Sequence, residues 1–150
     1  MKTVSITVDV EDWFHAVKLR HLFPIESWST KKLLVVEPLA FILDTLEQLN
    51  IKATFFVLGW IAETHPEIVK DIHSRGHEIA SHGMTHVPNN ILSVKELEYE
   101  ILGSKALIED LINEKVVGYR ATSFSISEKV LEKLQFSGYK YDSSFFPIRR

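Results

Sequence analysis

His82 and His86 stand four residues apart in Ile79-Ala80-Ser81-His82-Gly83-Met84-Thr85-His86. At that spacing two imidazoles can face one metal ion, from a helical turn or from a tight loop. Alone, the pair would as readily be two surface histidines. A second stretch shifts the balance. Ser5-Ile6-Thr7-Val8-Asp9-Val10-Glu11-Asp12 reads as an apolar strand ending in three carboxylates, Asp9, Glu11 and Asp12. One aspartate with two histidines is a ligand set for zinc or a similar divalent ion, with a position left open for water.

The elements must bring these stretches together. Residues 3–9 alternate and are rich in Val, Ile and Thr, which predicts a strand. Residues 13–35 form an irregular aromatic loop with Trp13, Phe14 and Trp28. It is either an apolar plug or one wall of a groove where sugars stack on tryptophan. Leu39, Ile42, Leu43, Leu46 and Leu49 recur at helical spacing over 37–50, with Pro38 in the first turn and Asn50 as the stop. The unbroken apolar run at 52–58 predicts a strand buried on both faces. Thr64-His65-Pro66-Glu67 reads as a capping box opening a helix through Ser74, closed by Arg75-Gly76. A third strand, 77–81, delivers the histidines. Ser93-Val94-Lys95-Glu96 opens a long helix, 115–119 is a fourth strand ending at Arg120, Ser125-Ile126-Ser127-Glu128 opens another helix, and 139–144 is a fifth strand.

Strand and helix alternate, which predicts a parallel α/β sheet with right-handed crossovers. Asp9, Glu11, Asp12, His82, His86, Arg120, Asp142 and Ser143 all fall at the C-terminal ends of the predicted strands. That is where functional residues gather in such folds. Blander readings stand beside some of them. Asp142 and Ser143 are also good turn formers. His77 reads as a strand-start residue, and His15, His21, His65 and His73 as solvated.

Composition narrows the function. The chain has 150 residues, a net charge of −3 and no basic run, which argues against nucleic-acid binding. It has no cysteine, so any metal is held by His and carboxylate. No apolar run approaches the ~18 residues of a membrane span. The start, Met1-Lys2-Thr3-Val4, runs directly into a strand with no leader, so a cytoplasmic location is expected.

With these residues in hand, the sequence resembles the polysaccharide deacetylase superfamily, the NodB-homology domain of carbohydrate esterase family 4. The resemblance runs from about Ser5 to Phe146. Val8-Asp9-Val10-Glu11-Asp12-Trp13-Phe14 looks like the family's first motif and Ser81-His82-Gly83-Met84-Thr85-His86 its second. Gly118-Tyr119-Arg120-Ala121-Thr122-Ser123-Phe124-Ser125 looks like its third, and Tyr141-Asp142-Ser143-Ser144 its fourth. Asp-Val-Glu-Asp-Trp with Gly-Tyr-Arg-Ala looks most like an exopolysaccharide-associated subgroup.

The resemblance implies one domain with a distorted (β/α) TIM-like barrel, incomplete here at about five strands. It implies metal-dependent hydrolysis of N-acetyl, or O-acetyl, groups on an acetylated polysaccharide or amino-sugar glycan. Asp9 would be the catalytic base, paired with Arg120 in a bidentate ion pair. Asp12, His82 and His86 would hold Zn²⁺, and Trp13, Tyr141, Asp142 and Ser143 would line the groove, with backbone N–H groups near Tyr141 at the oxyanion. Glu11 remains an alternate ligand, because strand alternation puts it on the face of Asp9. Three departures follow. Asp9 and Asp12 are three apart where the family's pair is often adjacent. Thr122 replaces a frequent Pro, which should loosen its loop. No histidine follows His86 to act as the family's late general acid. An incomplete barrel should also leave an edge open to self-association. The alternatives are an amidohydrolase of the same fold acting on a small C–N substrate, or a non-catalytic carbohydrate-binding remnant.

Overall fold

The computed structural model describes residues 4–145. Among them, five parallel strands lie side by side in sequence order: β1 (Thr7–Val10), β2 (Thr54–Val57), β3 (Glu78–Ser81), β4 (Gly118–Tyr119) and β5 (Tyr141–Asp142). The register aligns Asp9 with Phe56, Val57 with Ser81, Ser81 with Tyr119, and Tyr119 with Asp142. The C-terminal ends therefore form one rim. Helices α1 (Val36–Gln48), α2 (Gly59–Thr64), α3 (Pro66–Ser74), α4 (Val94–Glu98), α5 (Ser104–Ile112) and α6 (Glu128–Phe136) connect the strands. None is long and apolar enough to cross a membrane.

Alternation sorts each strand. Val10, Phe55, Val57 and Ile79 are buried in the apolar core, alongside Leu43, Ile61, Ile72, Ile101 and Ile108 from the helices. The opposite face carries Thr7, Asp9, Thr54, Phe56, Glu78, Arg120, Tyr141 and Ser143, and these side chains contact one another.

Three boundaries differ from the sequence reading. The helix predicted from the Thr64 box is α3, starting at Pro66, and a separate helix that the sequence reading did not place, α2, runs up to Thr64 before it. The Thr64 hydroxyl donates to the Trp60 carbonyl at 2.7 Å and ends α2, and Pro66 starts α3 with no side-chain cap. Strands four and five shrink to two residues each. Val116 leaves the ladder because its N–H donates to Glu109 Oε1 at 3.0 Å and its carbonyl accepts from Lys105. The long helix after the Ser93–Glu96 capping box is broken into α4 and α5 by a π-helical turn, Tyr99–Gly103.

Tyr141, expected in the groove, turns elsewhere. Its hydroxyl donates to Glu78 Oε1 at 2.9 Å, and Glu78 Oε2 accepts from Thr54 at 2.6 Å. Both partners sit at the N-terminal ends of their strands, opposite the histidines. The Tyr141 ring crosses Gly118 so closely that a Cβ there would lie 2.2 Å from it. Gly118→Ala should therefore push the ring off Glu78. The expected cost is that of overpacking, about 1–3 kcal/mol, read as a fall in melting temperature. An unchanged melt would mean that Tyr141 does not occupy this position.

Candidate metal centre

β1, β3 and the loop after β3 bring Glu11, His82 and His86 together, with one ligand atom from each lying within 4.8 Å of the others. The backbone fixes the histidine tautomers. His82 Nδ1 lies 2.7 Å from the Arg120 carbonyl, and His86 Nδ1 lies 2.9 Å from the His15 carbonyl. A carbonyl only accepts, so each Nδ1 carries a proton, and Nε2 is the atom left to present a lone pair to a metal. Metal-binding histidines are commonly held this way. Glu11 Oε2 is buried and receives no hydrogen bond, yet it lies 2.6 Å from His86 Nε2. Two acceptors would face each other there unless a proton or a cation joined them, and a divalent ion ligated by both atoms would take the place of that proton. That orphaned oxygen is how the residues present fit a divalent ion.

Electrostatics agree. Burial would raise the Glu11 carboxyl, but the contact with His86, with His82 and His15 nearby, holds it below its ordinary value. Burial, with His86 alongside, pulls His82 down against the pull of Asp9. Glu11 and His82 thus favour the deprotonated form a metal would need.

Asp12, expected as the ligand, is not in this cluster. Its Oδ1 accepts from the Trp13 N–H at 2.8 Å, and its Oδ2 accepts from the N–H groups of Leu34 and Val35 at 2.6 and 2.9 Å. The carboxylate caps the 3-10 turn Trp13–His15 and anchors the chain entering α1. Glu11, on the face it shares with Asp9, is the carboxylate that meets the histidines, and the Asp12 carboxylate is spent on backbone.

His15, read as solvated, is fully buried. Its Nδ1 accepts from the Asp12 N–H at 2.8 Å, and its ring sits edge-on among Phe14, Trp28 and Trp60. Burial pulls its pKa down to about 3. The capping-box spacing of Asp12 and His15 is the sequence signal that was available for this arrangement. Phe14 and Trp28 are the plug, and Trp13 remains 42% exposed.

Beside the metal cluster, Arg120 Nη1 donates to Asp9 Oδ1 at 2.5 Å. The pair is a single bond rather than the expected bidentate one. Nη2 is shared between Thr7 Oγ1 at 3.0 Å and Ser143 Oγ at 2.8 Å, and the guanidinium lies 4.0 Å from the Phe56 ring centroid. Ser143 therefore holds Arg120. Asp142 accepts from the Ser144 N–H and hydroxyl at 2.9 and 2.5 Å, the turn-forming alternative. The Tyr141 N–H is spent on the Val117 carbonyl at 3.3 Å, not open to an oxyanion. Thr122 is fully buried, with its hydroxyl 3.4 Å from the His82 carbonyl, so its loop is pinned rather than loosened.

Comparison with known proteins supplies the family. Residues 37–141 match the family described as polysaccharide deacetylase. A peptidoglycan-N-acetylglucosamine deacetylase of Bacillus cereus is 32% identical over 99 residues, 66% of this chain and 46% of the relative. A chitooligosaccharide deacetylase of Sinorhizobium fredii is 31% identical over 91 residues, 60% of this chain and 42% of the relative. The chain thus spans less than half the length of these relatives. Among solved structures, a peptidoglycan N-acetylglucosamine deacetylase superposes with a TM-score of 0.69 at 26% identity, over 92% of this chain and 54% of that one. A CE4 family pseudoenzyme from Bacillus anthracis gives a TM-score of 0.73 at 22% identity, over 92% and 41%, a likeness of fold alone.

Proposed function

The chain belongs to the polysaccharide deacetylase family, and from that premise we propose that it removes acetyl groups from a glycan, N-acetylglucosamine units first. The observation that carries the reading is the pair of Nε2 atoms, their Nδ1 atoms tied to backbone carbonyls, converging with the orphaned Glu11 oxygen. A divalent ion, zinc foremost, would be held by Glu11, His82 and His86. When bound it supplies Lewis-acid polarisation of the acetyl carbonyl and an acidified water. Asp9 takes the proton of the attacking water as general base. Arg120 fixes the direction of the Asp9 carboxylate through its bond to Oδ1 and its anchors on Thr7 and Ser143. The C–N bond breaks, acetate leaves, and the departing amine takes up a proton, which Asp9 then holds. Trp13, half-exposed, offers a sugar-stacking ring.

The test is acetate release by the zinc-loaded chain from oligomers of N-acetylglucosamine, with an O-acetylated glycan in parallel. Release from the first substrate is the expected result. Zinc bound with no acetate from either would leave a binding role in place of hydrolysis.

A further inference from the structure

Glu100 lies in the π-helical turn Tyr99–Gly103 and is 3% exposed. A buried carboxylate is costly unless hydrogen bonds satisfy it. Its donors all come from the two residues just before His86. Oε2 accepts from the Met84 N–H at 2.6 Å and the Thr85 N–H at 2.9 Å, and Oε1 accepts from the Thr85 hydroxyl. Arg20 grips the same residue from the other side, with Nη2 donating to the Thr85 carbonyl at 2.6 Å while its guanidinium lies over Trp28. Thr85 is thus held at its N–H, its hydroxyl and its carbonyl.

The held segment is not relaxed backbone. His86 sits at φ 57° and Gly83 at φ 81°. Left-handed backbone at a non-glycine residue persists only where its surroundings impose it. At Gly83 a Cβ would lie 2.9 Å from Glu100 Oε2, so the loop and the carboxylate are fitted to each other. A π-helical turn in the middle of a helix is itself a feature that often marks functional sites.

We propose that Glu100, with Arg20 opposite, is a positioning residue for the histidine pair: it fixes the Met84–Thr85 backbone and through it the direction of His86 Nε2. The role rests on the metal-centre reading. The variant is Glu100→Gln, whose amide puts a donor where two donors already point. The comparator is Ile108→Ala, which opens the fully buried core of α5 with no hydrogen bond to this loop. Zinc affinity is measured by chelator competition, melting temperature by calorimetry, and amide exchange at Met84 and Thr85 in the metal-free protein.

Glu100→Gln should weaken zinc binding by about 10–100-fold, the range seen when the outer partners of metal ligands are lost. It should also speed exchange at those two amides. Ile108→Ala should lower the melting temperature at least as far while leaving affinity and both amides near wild type. Wild-type zinc affinity in Glu100→Gln overturns the proposal. So does affinity that falls in both variants in step with melting temperature. A wild-type chain that binds no zinc removes the metal centre itself, and this inference with it.

Discussion

Glu11→Gln is expected to strip the zinc-loaded chain of its metal, as His82→Ala is, while Asp12→Ala keeps the metal and loses stability. The wild type should carry about one ion per chain, as a centre with three protein ligands and an open position does. Gln at position 11 keeps the shape of the side chain but removes its charge from beside the two imidazoles. The loss should exceed the ~10–100-fold that follows from disturbing an outer partner, because a ligand itself is gone. Asp12→Ala acts on other atoms. It leaves the N–H groups of Trp13, Leu34 and Val35 without the acceptor they share. Leaving such groups unpaired costs about 1–3 kcal/mol, seen as a lower melting temperature at unchanged zinc stoichiometry. Elemental analysis of the three variants and the wild type decides it. If Asp12→Ala lost zinc while Glu11→Gln held it, the ligand assignment would be reversed.

The Glu11 and Asp12 question shows what was legible in the sequence. Two signals competed. Strand alternation favoured Glu11, which shares a face with Asp9, and residue type favoured Asp12. Glu11 faces the histidines because β1 holds its pleat to Val10 and the chain turns only after Glu11, where Asp12 becomes a cap. The same rule explains Tyr141 and Ser143, which share a face with Gly118 and Arg120, so that one ring covers the glycine and one hydroxyl anchors the guanidinium. The alternation of strands and helices was readable from apolar periodicity and turn residues, and it places the candidate residues on one rim. Contacts between distant elements were not readable. Glu100 looks like an exposed helix position beside Ile101 until the π-helical turn carries it under Thr85. His15 looks like any loop histidine until its carbonyl is found holding His86, 71 residues away.

Asp9→Asn should leave the metal in place and cut acetate release by about 10²–10⁴-fold, the usual contribution of a general base. Asp9 stands outside the Glu11, His82 and His86 cluster, so zinc stoichiometry should not move. Asn at this position keeps an oxygen for Arg120 but cannot accept a proton from water. Arg120→Met tests the other half of the pair. The carbonyl that holds His82 belongs to the backbone of residue 120, so this variant also keeps its zinc. It loses the side-chain bonds to Asp9, Thr7 and Ser143 that tie β1 to the segment after β5. A carboxylate free to swing by about 1 Å is enough to lose 10²-fold in rate. The two variants should therefore match in metal content and both fall in kcat, with Asp9→Asn the more severe. Their double variant should be no worse than Asp9→Asn alone, because Arg120 acts through the carboxylate that is already gone. A double variant whose losses multiplied would show Arg120 acting on the substrate directly, and zinc lost from Asp9→Asn would place Asp9 among the ligands.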